Sequence, residues 1–243
     1  MSCFSDLYIS GLDFFRDRLE PSSYLLEIPA INNLTHLEFT CPVTFFVGEN
    51  GTGKSTLLEA VAVNLGFNPE GGTKNYSFST YDSHSDLCDA IRLVKGCKSP
   101  RSGYFLRAES FYNVATAEEE YSKGTGGRPM HYHERSHGES FLALVQETFL
   151  GNGIYLLDEP EAALSPQRQL TLMIEIKRCA KAGAQFIIVT HSPVLLGFPD
   201  ATIMCFDGGS IKPCTYEETD SYKITKMFIN NRNQILEQLF KEE

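Results

Sequence analysis

The sequence lacks a cysteine framework: its seven cysteines are scattered, odd in number and form no C-x-x-C pair. This pattern argues against a fold stabilised by disulfides or by bound zinc, so we expect reduced thiols and a cytoplasmic protein. No apolar run approaches the ~20 residues that a membrane-spanning helix needs. The first residues, MSCFSD, lack the basic and apolar regions of a signal peptide. We therefore expect no stable membrane insertion, and work at a membrane would need an unknown protein partner.

Positive charge is scarce as well. The chain has 21 Lys and Arg residues against 31 Asp and Glu residues, which gives a net charge of −10. Such a balance does not support binding along nucleic acid, although a local basic patch would allow it. The sequence also has no heptads and no internal repeats, which excludes a long coiled coil. Its 243 residues suit one large domain or a domain with an insertion.

The sequence does contain a complete P-loop. An apolar run at residues 43–47 leads into GENGTGKST, in which four residues separate Gly48 from Gly53, Lys54 and Ser55. Glycines let the backbone close around phosphates, the Lys54 ammonium binds the outer phosphates, and the Ser55 hydroxyl can ligate Mg²⁺. The flanking strand-like and helix-like segments disfavour a glycine turn that binds nothing. The predicted nucleotide-binding residues are Glu49, Asn50, Gly51, Thr52, Gly53, Lys54, Ser55 and Thr56.

The segments around the P-loop predict an α/β fold. Short strands before it favour an antiparallel β portion, and a helix follows it up to about Leu65, with Gly66 as its cap. Later apolar strands alternate with helices, which predicts a mainly parallel sheet with helices on both faces. The predicted strands lie at 7–9, 24–28, 37–39, 43–47, 91–95, 104–107, 154–157, 186–190 and 204–206. The other predicted helices lie at 111–121, 139–149, 166–182 and 221–241.

Residues 67–133 are the least regular part of the chain. They are rich in Gly, Ser and Tyr, and we predict loops around a hairpin whose strands are 91–95 and 104–107. We therefore predict a single domain over residues 1–243 with an inserted segment at about 67–133.

Two further motifs place polar residues after buried strands. In LLDEPE, Asp158 is expected to hold Mg²⁺ through a water molecule, and Glu159 to orient or deprotonate the attacking water. In VTHSP, His191 could bond the γ-phosphate and position that water. The alternatives are an acidic helix cap for the first motif and a packed histidine for the second. Glu159, His191 and Lys54 are thus the predicted catalytic residues.

GENGTGKST, LLDEPEAALS and VTHSP occur here in the order found in ATP-binding-cassette (ABC-type) ATPases, and the chain resembles this superfamily over about residues 24–206. More narrowly, it resembles small stand-alone AAA/ABC-type ATPases of bacteria. The resemblance implies an ABC-type P-loop fold, with Asp158 as the Walker B acid, Glu159 as the catalytic glutamate and His191 as the switch histidine. It also implies that residues 162–165 form the D-loop, a segment that follows the catalytic glutamate.

The resemblance also implies a signature that binds the γ-phosphate held by a second subunit. RSHGES precedes the helix at 139–149, and Ser136 and Gly138 match the family's serine and second glycine, whereas His137 replaces a glycine. The N-terminus of a helix can bind an anion through a serine hydroxyl and through backbone N–H groups that a glycine leaves accessible. The alternative is an ordinary helix N-terminus that binds nothing. If the signature works, an ATP-dependent homodimer would enclose two ATP molecules. Glu109 stands where the family has a glutamine near Mg²⁺, but it could equally form a surface ion pair with Arg107.

One histidine cluster stays outside these motifs. His131, His133 and His137 lie in or beside a glycine-rich stretch, where loop polarity is favoured over metal binding. Together the motifs predict Mg²⁺-dependent ATP binding and hydrolysis coupled to homodimer formation and control of a partner or conformation. The alternatives are the ATPase subunit of a membrane transporter, and a nucleotide-gated module in DNA maintenance or defence. The motifs leave the choice between ATP and GTP open.

Overall fold

The computed structural model describes residues 6–74, 85–107 and 137–241. The strands are β1 (Ile9–Phe14), β2 (His36–Glu38), β3 (Val43–Val47), β4 (Ile91–Lys95), β5 (Ser102–Arg107), β6 (Gly153–Asp158), β7 (Gln185–Val189), β8 (Thr202–Cys205) and β9 (Lys212–Cys214). The helices are α1 (Pro29–Asn32), α2 (Lys54–Asn64), α3 (Leu87–Ala90), α4 (His137–Thr148), α5 (Pro166–Lys181), α6 (Pro193–Leu196) and α7 (Asp220–Leu239). Short 3-10 turns lie between them, among them Tyr24–Glu27 and Pro160–Ala163.

These strands form two sheets. A six-stranded sheet has the order β5-β6-β7-β3-β8-β9, and its strand pairs are parallel except for the antiparallel pair β8–β9. A three-stranded antiparallel sheet has the order β2-β1-β4. The fold is therefore α/β with an antiparallel N-terminal portion, as the sequence predicted.

The core lies on both faces of the larger sheet, because alternate residues of each strand point to opposite sides. Phe46 and Ile187 pack with α2 and the smaller sheet, whereas Phe45 and Ile188 pack with α4 and α5. Every residue of β3, β6 and β7 is buried. This explains why these three strands read as continuous apolar runs in the sequence.

One strand prediction is wrong and another is displaced. Residues 24–27 form a 3-10 turn in which the Ser23 hydroxyl accepts a hydrogen bond from the Leu25 N–H group. Leu25 is fully buried there, so its apolar segment serves the core without joining a sheet. The first strand begins at Ile9 and continues to Phe14, later than the predicted residues 7–9.

The predicted hairpin of 91–95 with 104–107 does not form either. Both strands exist, but β4 pairs with β1 in the small sheet and β5 pairs with β6 in the large one. Their burial explains the separation: β4 alternates between buried and exposed residues at its start, whereas Tyr104, Phe105 and Leu106 of β5 are all buried. The predicted helix at 111–121 lies outside the described residues.

The later helices agree with the sequence prediction. α5 begins at Pro166, and the Ser165 hydroxyl accepts a hydrogen bond from the Arg168 N–H group. Gly66 follows α2 with a φ of +85°, a backbone angle suited to glycine at the end of a helix. In the part of the chain that the structure describes, no helix combines the length and apolarity needed to cross a bilayer.

Candidate nucleotide-binding site

The P-loop joins β3 to α2 at the centre of the large sheet. Its glycines adopt positive φ values, +141° at Gly48, +81° at Gly51 and +90° at Gly53. A Cβ atom at Gly53 would lie 2.8 Å from Cγ1 of Ile31, so glycine is needed there for both backbone angle and space. The predicted binding residues occupy this turn and the first turn of α2: Glu49, Asn50, Gly51, Thr52, Gly53, Lys54, Ser55 and Thr56.

The Lys54 ammonium is folded against its own loop. Its Nζ atom donates hydrogen bonds to the carbonyl oxygens of Gly48, at 2.6 Å, and Glu49, at 2.7 Å. Burial lowers the pKa of Lys54, and the carboxylates of Asp207, Glu159, Asp158 and Glu49 oppose that shift. The excess of negative charge around Lys54 favours the binding of a cation at this site.

Ser55 and Asp158 meet as predicted for a shared metal ion. The Ser55 hydroxyl donates a hydrogen bond of 2.8 Å to Oδ1 of Asp158, the last residue of β6. A hydroxyl and a carboxylate are oxygen ligands of the kind that Mg²⁺ prefers, so the residues present fit this ion. The third suggested ligand, Glu109, lies outside the described residues.

Arg107 closes one side of this pair. Its Nη1 atom lies 2.7 Å from Oε2 of Glu59, and its Nε atom lies 3.6 Å from Oδ2 of Asp158. The side chain is thus paired with Glu59 on α2 and stands next to the predicted metal ligand. The sequence considered only Glu109 as a partner for Arg107 and missed Glu59.

Glu159 and His191 face each other at the open edge of the sheet. Oε1 of Glu159 lies 3.7 Å from Nε2 of His191, and the two side chains are 46% and 39% exposed. Glu159 has a φ of +49°, and its N–H group donates to the carbonyl oxygen of Val189. This left-handed turn, unusual for a non-glycine residue, directs the chain out of β6 immediately after Asp158.

Asp207 is a site residue that sequence reasoning treated only as part of a turn. Its Oδ1 atom accepts a hydrogen bond of 2.9 Å from the Glu49 N–H group and therefore fixes the start of the P-loop. A cavity of about 350 Å³ opens here, lined by Gly48, Glu49, His191, Asp207 and the first turns of α7. In the sequence, the one indication of this role is that Asp207 directly follows an apolar strand.

The signature prediction is only partly within the described residues. Ser136 lies outside them, whereas Gly138 lies in the first turn of α4 and packs on the D-loop of its own chain. A Cβ atom at Gly138 would lie 3.0 Å from the Ala163 carbonyl oxygen and 2.6 Å from Nη1 of Arg168. Arg168 also pairs with Glu139 at 2.9 Å. The metal cluster weighed for His131, His133 and His137 involves two residues outside the described ranges.

The chain is similar to known ATPase domains and ATP-binding proteins. A family described as "AAA domain" matches residues 24–121, and one described as "AAA domain, putative AbiEii toxin, Type IV TA system" matches residues 123–197. The hemin import ATP-binding protein HmuV of Rhodopseudomonas palustris (strain HaA2) is 28% identical over 171 residues. These matches support a P-loop ATPase domain similar to the AAA and ABC types.

Other similarities to this ATPase domain are equally distant. The phosphate import ATP-binding protein PstB 1 of Vibrio vulnificus (strain YJ016) is 27% identical over 175 residues. These matches cover 60% and 62% of the chain, and 63% and 64% of the two relatives, so the chain spans less than two thirds of their length. The solved SMC head domain from Thermotoga maritima is 17% identical, with a TM-score of 0.45, over 86% of this chain and 99% of that one.

Proposed function

We propose that this ATPase domain binds ATP with Mg²⁺ and hydrolyses it in a site completed by a second copy of the chain. The observation that carries the proposal is the meeting of Ser55 with Asp158 at 2.8 Å, beside Glu159 and His191 at 3.7 Å. One crevice thus holds a ligand pair for a cation, a carboxylate base and a polar partner for a phosphate.

Each residue has a distinct task in this proposal. Lys54 and the loop N–H groups hold the phosphates, while Ser55 and Asp158 hold Mg²⁺, which would neutralise charge on the phosphate oxygens. The Glu159 carboxylate accepts a hydrogen bond or a proton from the attacking water. The His191 imidazole bonds the γ-phosphate and keeps it in line with that water.

The geometry of the open edge supports the two-copy arrangement. Glu159 and His191 are partly exposed, so another surface can reach the phosphate that they face. Gly138 packs on the D-loop of its own chain, so that α4 and the D-loop form one joint surface. In the proposed dimer, Ser136 and Gly138 of one copy bind the γ-phosphate held by the P-loop of the other.

Steady-state turnover and equilibrium ATP binding test the catalytic roles. Glu159→Gln should lower kcat at least about 100-fold, because it removes the base, and leave the Kd for ATP within about threefold. The matched control is Glu147→Gln on the exposed side of α4, which should keep wild-type turnover. Normal turnover by Glu159→Gln would reject the proposed base.

The similarity to two import ATP-binding proteins favours one second candidate, the ATPase subunit of a transporter. This role predicts that the chain co-purifies with a membrane protein and that the pair hydrolyses ATP faster than the chain alone. Purification from gently solubilised membranes, with a tagged Glu159→Gln chain and ATP, separates the two roles. Recovery of the chain without any membrane protein would count against the transporter role.

A further inference from the structure

Behind Glu159, a second glutamate reaches from the D-loop side to the backbone of the predicted switch histidine. Glu161 lies in the 3-10 turn Pro160–Ala163. Its Oε1 atom accepts a hydrogen bond of 2.6 Å from the His191 N–H group. The bond joins the segment after Glu159 to the loop that carries the imidazole.

A second brace ties the same two segments. Gln169, buried on α5, donates from Nε2 to the Leu164 carbonyl oxygen at 3.2 Å. The Ser192 hydroxyl donates a hydrogen bond of 2.6 Å to Oε1 of Gln169 and accepts from the first N–H groups of α6. His191 itself and the residue after it are therefore both tied to the D-loop side, by Glu161 and Gln169.

The anchored imidazole has a defined direction. Its Nε2 atom is buried and has no hydrogen-bond partner among the described residues, although Oε1 of Glu159 lies 3.7 Å away. Because the backbone of His191 is held at its N–H group, a change at Glu161 would move the imidazole relative to Glu159. Catalytic geometry tolerates such shifts poorly, since small misplacements of a positioned group cost rate.

From these contacts we infer that Glu161 is a positioning residue of the ATPase reaction, which acts only through His191. The inference rests on the proposed role of His191 at the γ-phosphate. In this role the Glu161 carboxylate contacts neither the nucleotide nor the attacking water. It fixes the backbone from which the imidazole reaches the phosphate, and Gln169 holds the other side of the same loop. Because the hydrogen bond needs only an acceptor oxygen, an amide at this position should serve nearly as well.

A double-mutant cycle on kcat tests this directly. Glu161→Leu keeps the volume and removes the acceptor, and it should lower kcat about tenfold while the Kd for ATP stays within about threefold. Glu161→Gln keeps an acceptor oxygen and should stay within about threefold of wild-type kcat. In a His191→Ala background, Glu161→Leu should cost less than about twofold more, because the group it positions is already absent.

Two results would overturn the inference: an equal tenfold loss in the His191→Ala background, or a loss in Glu161→Gln as large as in Glu161→Leu. The control is Glu175→Leu, since Glu175 is also largely buried and pairs with Arg178 on the same helix; its kcat should remain at the wild-type level. If His191→Ala itself leaves kcat unchanged, the proposed role of His191 fails. If only the cycle is additive, the positioning role of Glu161 fails alone.

A measurement on the unmodified chain covers the case in which Glu161→Leu does not fold. The His191 N–H group should exchange with solvent at least about 100-fold more slowly than an unprotected amide, because it is bonded to a buried carboxylate. Hydrogen exchange of labelled wild-type protein, followed by NMR, reports this amide individually. Exchange at the unprotected rate would show that the anchoring hydrogen bond is absent and would overturn the inference.

Discussion

Lys54 has more negative than positive charge around it, and this imbalance explains much of the chemistry expected of the site. The carboxylates of Asp207, Glu159, Asp158 and Glu49 all act on its ammonium group. Lys54 and Arg107, which also pairs with Glu59, do not balance these four carboxylates, so adding nucleotide phosphates requires a further cation. In the proposed site, Ser55 and Asp158 would hold Mg²⁺, which would supply that charge.

Glu161 carries the clearest pH dependence of the described site. Burial raises the pKa of its carboxyl group above the ordinary value of 4.5, although the His191 N–H bond favours the charged form. A folded-state pKa above the unfolded one means that the folded protein binds more protons, so stability contributed by this group falls as pH rises through the folded pKa. Glu161→Gln removes this pH-dependent loss.

We predict that Glu161→Gln gains stability relative to wild type as pH rises from the ordinary carboxyl pKa of 4.5 towards neutrality. Urea unfolding across this range measures the difference in free energy of unfolding between the variant and wild type. The change of this difference with pH is the test, because the cost of burying an amide does not change with pH. Glu147→Gln, which alters an exposed glutamate, should follow wild type throughout. A constant difference between Glu161→Gln and wild type would contradict the prediction.

The sequence predicted those site residues whose roles follow from motif spacing. Ser55 and Asp158 were expected to meet, and they do. Asp207, Glu161 and Gln169 were not expected, because their importance depends on hydrogen bonds to residues at least 20 positions away. A carboxylate or amide makes such bonds only after strands and loops are placed, and no local pattern identifies its partner.

Among the elements, the large sheet was predictable and the small one less so. Continuous apolar runs identify β3, β6 and β7, since both faces of a parallel sheet are covered. Residues 24–28 were mistaken for a strand because a short apolar segment packs into a core equally well as a turn. The pairing of β4 and β5 was also wrong, because strands close in sequence need not share a sheet.

The P-loop turn offers a test at this scale through Gly53. We predict that Gly53→Ala lowers ATP affinity more than about tenfold and destabilises the chain by about 1–3 kcal/mol, since it forces a strained φ and a contact of 2.8 Å with Ile31. Gly66→Ala is the matched control, because Gly66 has a φ of +85° and open space around it. It should lose stability from strain alone and bind ATP normally; equal ATP affinity of the two variants would refute the prediction.

At the scale of the whole molecule, one core connects the two sheets. Leu12 and Ile91 of the small sheet pack in the same buried cluster as Phe46 and Ile187 of the large sheet. This continuity supports the prediction of a single domain, which stays a prediction together with the inserted segment at 67–133. The net charge of −10 continues to disfavour long nucleic-acid contacts.

If two copies of the chain share each nucleotide, ATP binding should double the mass of the particle in solution. Glu159→Gln should bind ATP without hydrolysing it and so accumulate the closed state. We predict that sedimentation of this variant with ATP and Mg²⁺ gives twice the 27.2 kDa of one chain. Without nucleotide it should give the mass of one chain, and adding Ser136→Arg should prevent the increase, because it blocks the signature.

That sedimentation experiment is the most direct measurement, provided ATP binding is confirmed in the same samples. We expect an ATP-dependent doubling of mass that Ser136→Arg abolishes. A particle that stays at 27.2 kDa while saturated with ATP would contradict it.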